Sequence, residues 1–226
     1  MEQIVVTYKY VSLRKEDLNC IINNGYLTDR VIGFWYQIIQ EKFPNQSLEL
    51  IDPSVSMSIV LERNLKDIKE CIIEPLNLKN KSFIFMPLND NTSSDYGTKG
   101  NHWALNVIDM TNKTIYYFDS MLSEIDNSHV SHKKCEKLLS SKFAFKNALN
   151  EKIQYNSYDC GMFVLGITEC LINYLKEKEF NSNAFNDVNF DDLLNKYAHC
   201  KQGNMGKFRD EIYSKIQEII VKKKNK

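Results

Sequence analysis

The chain has little of several features that mark particular classes of protein. Its 226 residues include 29 Lys and Arg against 29 Asp and Glu, so the net charge of +0 lacks the basic excess typical of nucleic-acid-binding proteins. No apolar run approaches the roughly 18 residues that a membrane-spanning helix needs, and the first residues do not resemble a signal peptide. We therefore expect neither a nucleic acid nor a membrane as partner.

Paired cysteine spacing is also missing. The six cysteines are scattered along the chain, at Cys20, Cys71, Cys135, Cys160, Cys170 and Cys200. Without an export signal, such cysteines are expected to stay reduced, in the cytoplasm, the nucleus or both. The His-x-x-His-x-x-Cys run at residues 129–135 invites a zinc hypothesis, but no second ligand pair follows it. We expect exposed polar residues on a helix there, and no metal site.

Apolar residues are abundant enough for one sizeable core. They make up 43% of the chain, against 26% charged residues, which predicts a single domain over residues 1–226 with a flexible basic tail at 222–226. Helical patterns dominate residues 15–75, and strand patterns follow at 81–87, 103–109 and 114–118. Further helices are predicted at 131–149 and 161–178, around a short strand near Ile153, and the end of the chain is helical. This order predicts an α+β fold in which helices pack on a mostly antiparallel sheet.

The strongest chemical signal lies in residues 154–161, which read Gln-Tyr-Asn-Ser-Tyr-Asp-Cys-Gly. A thiol attacks a carbonyl carbon as the thiolate, a form favoured by a histidine partner or by the positive end of a helix. The apolar run after Gly161 predicts a helix that carries Cys160 in its first turn, with Asp159 as its cap. A cysteine beside an apolar run is usually a buried structural residue. Here the other polar residues favour catalysis.

Two more candidate residues lie on a predicted β-hairpin. Residues 103–109 and 114–118 are rich in β-formers, and residues 110–113 fit the turn between them. Folding this segment about Met110 and Thr111 places His102 opposite Asp119, where a carboxylate can orient an imidazole. The amide of Gln154, together with the backbone N–H of Cys160, would stabilise an oxyanion. The predicted catalytic residues are therefore His102, Asp119, Gln154 and Cys160.

These motifs together resemble the catalytic domain of the sentrin/SUMO-specific protease family, the cysteine proteases of ubiquitin-like modifiers. The resemblance runs from about Tyr26 to Leu175 and rests on three motifs, which are His102-Trp103, Asp119-Ser120 and the 154–161 segment. It implies a papain-like fold in which the catalytic residues follow the order His, Asp, Cys instead of Cys, His, Asn. It implies no cofactor.

Within that family the chain looks most like the short deneddylase branch, which removes the NEDD-type modifier from cullins and other proteins. The length of the chain, the Leu-Asn-Asp-Asn segment at 88–91 and the 154–161 segment support this branch. The implied partners are a NEDD-type or SUMO-type modifier and its conjugates, which are the substrates, and we expect the enzyme to be a monomer. SUMO proteases share the same catalytic residues, so a SUMO protease stays an alternative. A cysteine-dependent acetyltransferase of related fold and a catalytically silent modifier-binding module are the alternatives from other classes.

The resemblance also implies substrate-binding residues. Ubiquitin-like modifiers end in Gly-Gly, and a narrow aromatic channel admits only residues without side chains. Trp103 would form one wall of that channel, and Tyr26 stands where the family usually has a second Trp, a departure that bears on modifier selectivity. Thr28 is predicted to cap the helix that follows. Asp29 is a candidate to contact the modifier's tail, or else stabilises the first turn of that helix.

Overall fold

The computed structural model describes residues 3–93, 100–123 and 125–224, and within them the chain forms seven strands and eight α-helices. The strands are β1 (Ile4–Tyr8), β2 (Val11–Arg14), β3 (Leu48–Leu50), β4 (Phe83–Asn89), β5 (Trp103–Asp109), β6 (Thr114–Phe118) and β7 (Ala144–Asn147). The helices are α1 (Lys15–Ile22), α2 (Asp29–Lys42), α3 (Pro53–Leu61), α4 (Leu65–Ile68), α5 (Asp126–Leu139), α6 (Cys160–Glu177), α7 (Phe190–Leu194) and α8 (Met205–Lys224). A π-helical turn at Lys69–Ile73 continues α4.

A five-stranded sheet in the order β3-β4-β5-β6-β7 lies between two layers of helices. Every residue of β4, β5 and β6 is buried, and alternate side chains enter two separate cores. One core includes α2, α6 and α8, and the other includes α3 and α5. The predicted α+β class is confirmed. The sheet is mixed, because its two edge strands pair in parallel with their neighbours while the three central strands are antiparallel.

The β5–β6 hairpin has the predicted strands and the predicted four-residue turn. The Asp109 carboxylate closes the turn by accepting hydrogen bonds from the backbone N–H groups of Thr111 (3.0 Å) and Asn112 (2.9 Å). Asp109 pairs with Thr114, so the centre of the hairpin lies one residue later than Met110 and Thr111. Each residue of β5 therefore pairs with a β6 residue two positions beyond the predicted partner. Since side chains alternate with a period of two, this shift leaves each of them on its predicted face.

Helix α6 follows from the apolar run that the sequence shows after Gly161. It begins at Cys160, and most of its residues are buried. It packs against β5 and α2 in the larger core. A helix that is apolar on nearly all sides belongs in the interior of a protein. The nucleophile candidate is thus fixed to the most deeply buried helix of the fold.

Several sequence predictions were wrong in detail. The β1–β2 hairpin and strand β3 were not predicted, and the helix predicted over 131–149 ends at Leu139, where Ser140 takes a left-handed φ of 55° and β7 follows. No strand forms near Ile153, whose N–H donates to the carbonyl oxygen of Ser120 at 3.1 Å. Helix α8 extends through residues 222–224 of the predicted tail, and residues 225–226 lie outside the described residues.

The His-x-x-His-x-x-Cys run lies on α5, where its members have different surroundings. His129 is exposed, while Cys135 is buried in the core, which corrects the expectation that all three are exposed. The Nε2 of His132 lies 2.9 Å from the carbonyl oxygen of Phe143. The described residues contain no cluster of metal-ligating side chains and no helix long and apolar enough to cross a membrane. All six cysteines are free thiols.

Candidate active site

Cys160 is the first residue of α6 and is completely buried. The N–H groups of a helix's first turn lack partners within the helix and, with the helix dipole, favour an anion at this position. The Cys160 Sγ also lies 4.0 Å from the carbonyl oxygen of Asn101, next to His102. The end of the sheet and the start of α6 therefore meet at the thiol.

His102 immediately precedes β5 and is held by two residues at the end of β4. The Asp90 carboxylate accepts hydrogen bonds from the N–H groups of Asn101 (2.7 Å) and His102 (3.0 Å). The side-chain amide of Asn89 donates to the carbonyl oxygen of His102 at 2.9 Å. These bonds fix the backbone of His102 before its side chain makes any contact. Neither Asn89 nor Asp90 is among the site residues predicted from the sequence.

The imidazole of His102 is bound to the carboxylate of Asp119, as the sequence predicts. Its Nε2 lies 2.8 Å from Asp119 Oδ1, and both side chains are buried. The same carboxylate accepts hydrogen bonds from the N–H groups of Met121 (2.9 Å) and Ser123 (3.0 Å), and from the Ser123 hydroxyl (2.8 Å). Burial alone would raise the pKa of Asp119, but the hydrogen bond and charge of His102, together with these donors, lower it to about 2.

His102 contacts Cys160 as well as Asp119, so the three side chains form one chain of interactions. Burial alone would lower the pKa of His102, but its hydrogen bonds to Asp119 and Cys160 and their charges raise it from 6.5 to about 10. Since Nε2 is bound to Asp119, the other ring nitrogen, Nδ1, is the one available to the thiol. These partners favour the charged form of the imidazole, which faces the start of α6.

Gln154 is fully buried beside the turn that carries Asp119. Its backbone N–H donates to the carbonyl oxygen of Ser120 (2.9 Å), and its Oε1 accepts from the Ser120 hydroxyl (2.6 Å). Its Nε2 donates to the carbonyl oxygen of Asn156 at 2.8 Å. The side-chain oxygen is thus occupied, and the amide nitrogen, which carries two hydrogens, makes one short bond. The Gln154 amide is held in a defined orientation.

The two aromatic candidates for a substrate channel belong to segments that meet. Trp103 is buried at the start of β5, and its Nε1 donates to the carbonyl oxygen of Leu27 at 2.9 Å. Tyr26, which precedes Leu27 in the chain, is 45% exposed. A side chain on Gly161 would bring a Cβ atom within 2.9 Å of the Leu27 Cβ, so glycine permits this close approach. Leu27 therefore joins the Trp103 wall to the start of α6.

The start of α2 carries the remaining candidate. Thr28 caps this helix, because its hydroxyl accepts from the N–H of Val31 at 3.3 Å and donates to Asp17 at 2.6 Å. Asp29 is exposed in the first turn, and its carboxylate accepts a hydrogen bond from the N–H of Arg30 at 2.9 Å. Its position suits both predicted roles, helix stabilisation and contact with a bound chain.

A buried ion pair beside the candidate nucleophile was not predicted from the sequence. Asp159 precedes α6 as predicted, but its side chain does not cap the helix. It pairs instead with Arg209 of α8 at 2.8 Å, and both residues are 2% exposed. A signal was present in the sequence, since Arg209 stands four residues after Met205 and three before Ile212, on the apolar face of α8.

A buried thiol at a helix start, beside a histidine that a carboxylate orients, is the arrangement of a cysteine peptidase. The chain belongs to the Ulp1 protease family, whose C-terminal catalytic domain matches residues 25–224. The family resemblance and the enzyme class predicted from the sequence are confirmed.

Individual relatives cover most of the chain. It is 33% identical over 208 residues to probable sentrin-specific protease 8 of Dictyostelium discoideum, with 85% of each protein covered. It is 31% identical to human sentrin-specific protease 8, covering 79% of this chain and 86% of the human protein. NEDD8-specific protease 1 of Arabidopsis thaliana is 26% identical, with 96% of this chain and 93% of the relative covered.

The solved structures agree on the fold. The SUMO protease Ulp1 with its catalytic cysteine oxidised to a sulfinic acid matches with a TM-score of 0.65 and 19% identity, over 97% of this chain and 90% of that one. The Ulp1 protease domain in complex with Smt3, the yeast ortholog of SUMO, matches with a TM-score of 0.60 and 20% identity, over 94% and 90% of the two chains. The papain-like architecture that the resemblance implied is consistent with these matches.

Proposed function

We propose that this protein cleaves the bond after the C-terminal Gly-Gly of a NEDD-type ubiquitin-like modifier, with Cys160 as the nucleophile. The observation that carries the proposal is that the Cys160 thiol, at the start of α6, lies beside the 101–102 segment, whose His102 imidazole is bound to Asp119 at 2.8 Å. The relatives named sentrin-specific protease 8 and NEDD8-specific protease support the NEDD-type modifier over the SUMO type.

The proposed reaction follows from the charges of the site. The Cys160 thiolate attacks the carbonyl carbon of the modifier's last glycine, and the bond from that carbon to the leaving amine breaks while His102 gives the amine its proton. A thioester between Cys160 and the modifier remains. Water then attacks the thioester carbon while His102 accepts a proton from the water. The carbon–sulfur bond breaks, which returns the Cys160 thiolate and releases the modifier with a free carboxylate.

Gln154 is proposed to stabilise the negative oxygen that forms in both steps. Its side chain is fixed by hydrogen bonds to Ser120 and Asn156, so its amide loses little conformational entropy in the transition state. The backbone N–H of Cys160 would be the second donor. Donors held in place before the reaction stabilise developing charge better than mobile ones.

The modifier's tail is proposed to pass between Trp103 and Tyr26. Glycine is the residue that such a channel selects, since any side chain would collide with its aromatic walls. Asp29, exposed at the start of α2, is proposed to contact the tail on the outer side of the channel. A tyrosine at position 26 covers less of the tail than a tryptophan would, which makes modifier selectivity the property to measure.

We further propose that the protein acts as a monomer on conjugates such as neddylated cullins, in the cytoplasm, the nucleus or both. The six free thiols suit a reducing compartment.

Labelling by modifier probes tests the proposal directly. NEDD-type, SUMO-type and ubiquitin probes with thiol-reactive C-termini are incubated with the wild-type protein, with Cys160→Ala and with Cys71→Ala. Cys71 is the exposed thiol of the chain and makes a matched control. We expect the NEDD-type probe to label the wild type and Cys71→Ala, and to leave Cys160→Ala unlabelled.

The other outcomes are equally informative. Preferential labelling by the SUMO-type probe would keep the mechanism and overturn the modifier. Labelling of Cys160→Ala by any probe would overturn Cys160 as the nucleophile. Absence of labelling with all three probes, from protein that unfolds cooperatively, would overturn the proposed protease activity.

A further inference from the structure

The carboxylate of Asp159 is bound in a way that is unusual for a residue preceding a helix. Aspartate at this position ordinarily accepts a hydrogen bond from the second or third N–H of the helix. Here its backbone has φ −92° and ψ 4°, and its side chain makes no such bond. Oδ1 accepts from Arg209 Nη2 (2.8 Å) and Nε (3.1 Å), and Oδ2 accepts from Asn156 Nδ2 (2.6 Å) and Gln202 Nε2 (2.8 Å).

Arg209 is likewise fully engaged. Its Nη1 donates to the carbonyl oxygen of Cys20 (2.9 Å), and its Nη2 donates to those of Gly25 (3.0 Å) and Tyr158 (3.3 Å). The guanidinium carbon also lies 5.8 Å from the centre of the Tyr158 ring. Apolar residues often stabilise a core better than a buried ion pair does, because charges lose hydration on burial. Arg209 on the apolar face of α8 is therefore a costly choice if packing is its sole purpose.

The ion pair leaves the start of α6 without a capping side chain. The first hydrogen bond at this end joins the N–H of Phe163 to the carbonyl oxygen of Asp159, at 2.9 Å. Among the described residues, no acceptor contacts the N–H groups of Cys160, Gly161 or Met162. These are the groups that bind an anion at a helix N-terminus. They belong to the same helical turn as the thiol on which negative charge forms.

We propose that Arg209 is a positioning residue for the Cys160 chemistry: it holds the Asp159 carboxylate away from the first turn of α6 and neutralises it. The N–H groups of that turn then remain for the Cys160 thiolate and for the oxyanion that forms on the substrate's carbonyl oxygen when the thiolate attacks. This inference rests on the proposed role of Cys160 as the nucleophile.

The charged groups around the thiol are few. His102 faces it from the start of β5, with Asp119 behind the imidazole. Asp90 binds the backbone next to His102, and the first turn of α6 contains no acidic residue. Asp159 is thus the one carboxylate directly adjacent in sequence to the thiol. Without Arg209, we expect it to turn toward the N–H groups of Gly161 and Met162 and to oppose the thiolate.

The test is the pH dependence of Cys160 alkylation by iodoacetamide, followed as the mass of the peptide that contains Cys160. For Arg209→Met we expect the pH midpoint of alkylation to rise by about one unit, which makes the reaction at pH 7 about tenfold slower. Arg209→Lys keeps the charge, so its alkylation midpoint is expected to lie nearer to that of the wild type. The double variant Asp159→Ala with Arg209→Met is expected to restore the wild-type midpoint, because alanine has neither a charge nor an acceptor that could occupy the N–H groups of the first turn.

Lys81→Met is the matched control. Lys81 forms a partly buried ion pair with Glu49 at 3.0 Å, at the edge of the sheet, so its loss removes an ion pair without touching α6. Its alkylation midpoint is expected to stay at the wild-type value.

A purely structural role for Arg209 makes a different prediction. Arg209→Met would then unfold at lower temperature and keep the wild-type alkylation midpoint, an outcome that overturns the proposal. If Arg209→Met does not fold, the double variant alone tests the proposal. Tenfold slower alkylation of Cys160 in that variant would also overturn it. Iodoacetamide needs no modifier, so failure here is distinct from failure of the probe experiment.

Discussion

The indole Nε1 of Trp103 and the backbone carbonyl oxygen of Leu27 form a hydrogen bond of 2.9 Å. The two residues are 76 positions apart, and the bond attaches the segment before α2 to the first residue of β5. Tyr26 is the neighbour of Leu27, so the positions of both proposed channel walls depend on this one hydrogen bond. The bond should matter for substrate affinity as well as for stability.

Trp103→Phe keeps an aromatic wall and removes this donor. We expect the free energy of unfolding to fall by about 1 to 2 kcal/mol, because the Leu27 carbonyl loses its partner. We also expect KM for a modifier substrate to rise several-fold with a smaller change in kcat. Urea denaturation and steady-state kinetics measure the two effects.

Trp35→Phe is the control for that substitution. The Trp35 indole is buried in α2 and donates to Glu169 Oε1 at 2.8 Å, away from the channel. It should lose comparable stability and keep the wild-type KM. An equal rise of KM in both variants would show that the effect of Trp103 is a general loss of rigidity.

Asp119→Asn tests the orientation of His102. The variant keeps a side chain of the same size but loses the charge that stabilises the imidazolium, so we expect kcat to fall by about 10³ to 10⁴. Asp109→Asn is the control, because Asp109 is also a buried carboxylate that binds backbone N–H groups, at the opposite end of β5. Its kcat is expected to remain near the wild-type value. A fall of less than tenfold for Asp119→Asn would count against the assignment.

His199 gives a pH-dependent contribution to stability that is independent of catalysis. Its Nδ1 lies 2.9 Å from Glu169 Oε2, its Nε2 lies 3.0 Å from Glu211 Oε2, and its ring stacks on Phe208. The hydrogen bond to Glu169 raises the pKa of His199, burial opposes this, and the charges of both glutamates add to the rise.

Because the folded-state pKa is raised, this stabilisation is complete below pH 6.5, the ordinary value, and is lost as the pH rises through the folded-state value. We expect the wild type to exceed His199→Gln in free energy of unfolding by more at pH 6 than at pH 9. Urea denaturation at the two pH values measures the difference. A constant difference would show that His199 stays neutral in the folded protein.

Two glycines should respond oppositely to alanine. A Cβ atom on Gly166, in α6, would lie 2.1 Å from the carbonyl oxygen of His199, which cannot move without displacing the backbone. Gly166→Ala is expected to lower the free energy of unfolding by about 2 to 3 kcal/mol. Gly206, near the start of α8, has no atom within 4 Å of such a Cβ, so Gly206→Ala should raise it by about 0.5 kcal/mol. Thermal unfolding of both variants would contradict this account if their shifts had the same sign.

Sequence patterns were most reliable where local and long-range preferences agree. The β5–β6 hairpin, the Thr28 cap of α2 and the extent of α6 were all predicted, because continuous runs of β-formers or apolar residues leave few alternatives. The contact of His102 with Asp119 followed from the hairpin. The predicted contact is correct although the predicted register was wrong by two residues, because a shift of two leaves both side chains on the same face of the sheet.

The failures concern short elements and distant partners. Strand β3 has three residues and β7 has four, too few for a pattern to exceed background, and both are stabilised by pairing at the edges of the sheet. The Asp159–Arg209 pair joins residues 50 positions apart. The sequence around either residue does not identify the other as its partner, so the effect of the ion pair on the cap of α6 could not be predicted.

The reach of Arg209 along the chain also bears on the order of folding during synthesis. Its guanidinium binds Cys20, 189 residues earlier, and Gly25, 184 residues earlier, as well as the residue before the thiol. A ribosome-bound chain therefore contains the thiol, the imidazole and the carboxylate before it contains the side chain that holds them to the N-terminal segment. The contacts around the residue that precedes the thiol are therefore completed only after α8 has been synthesised, although that residue lies at the start of α6.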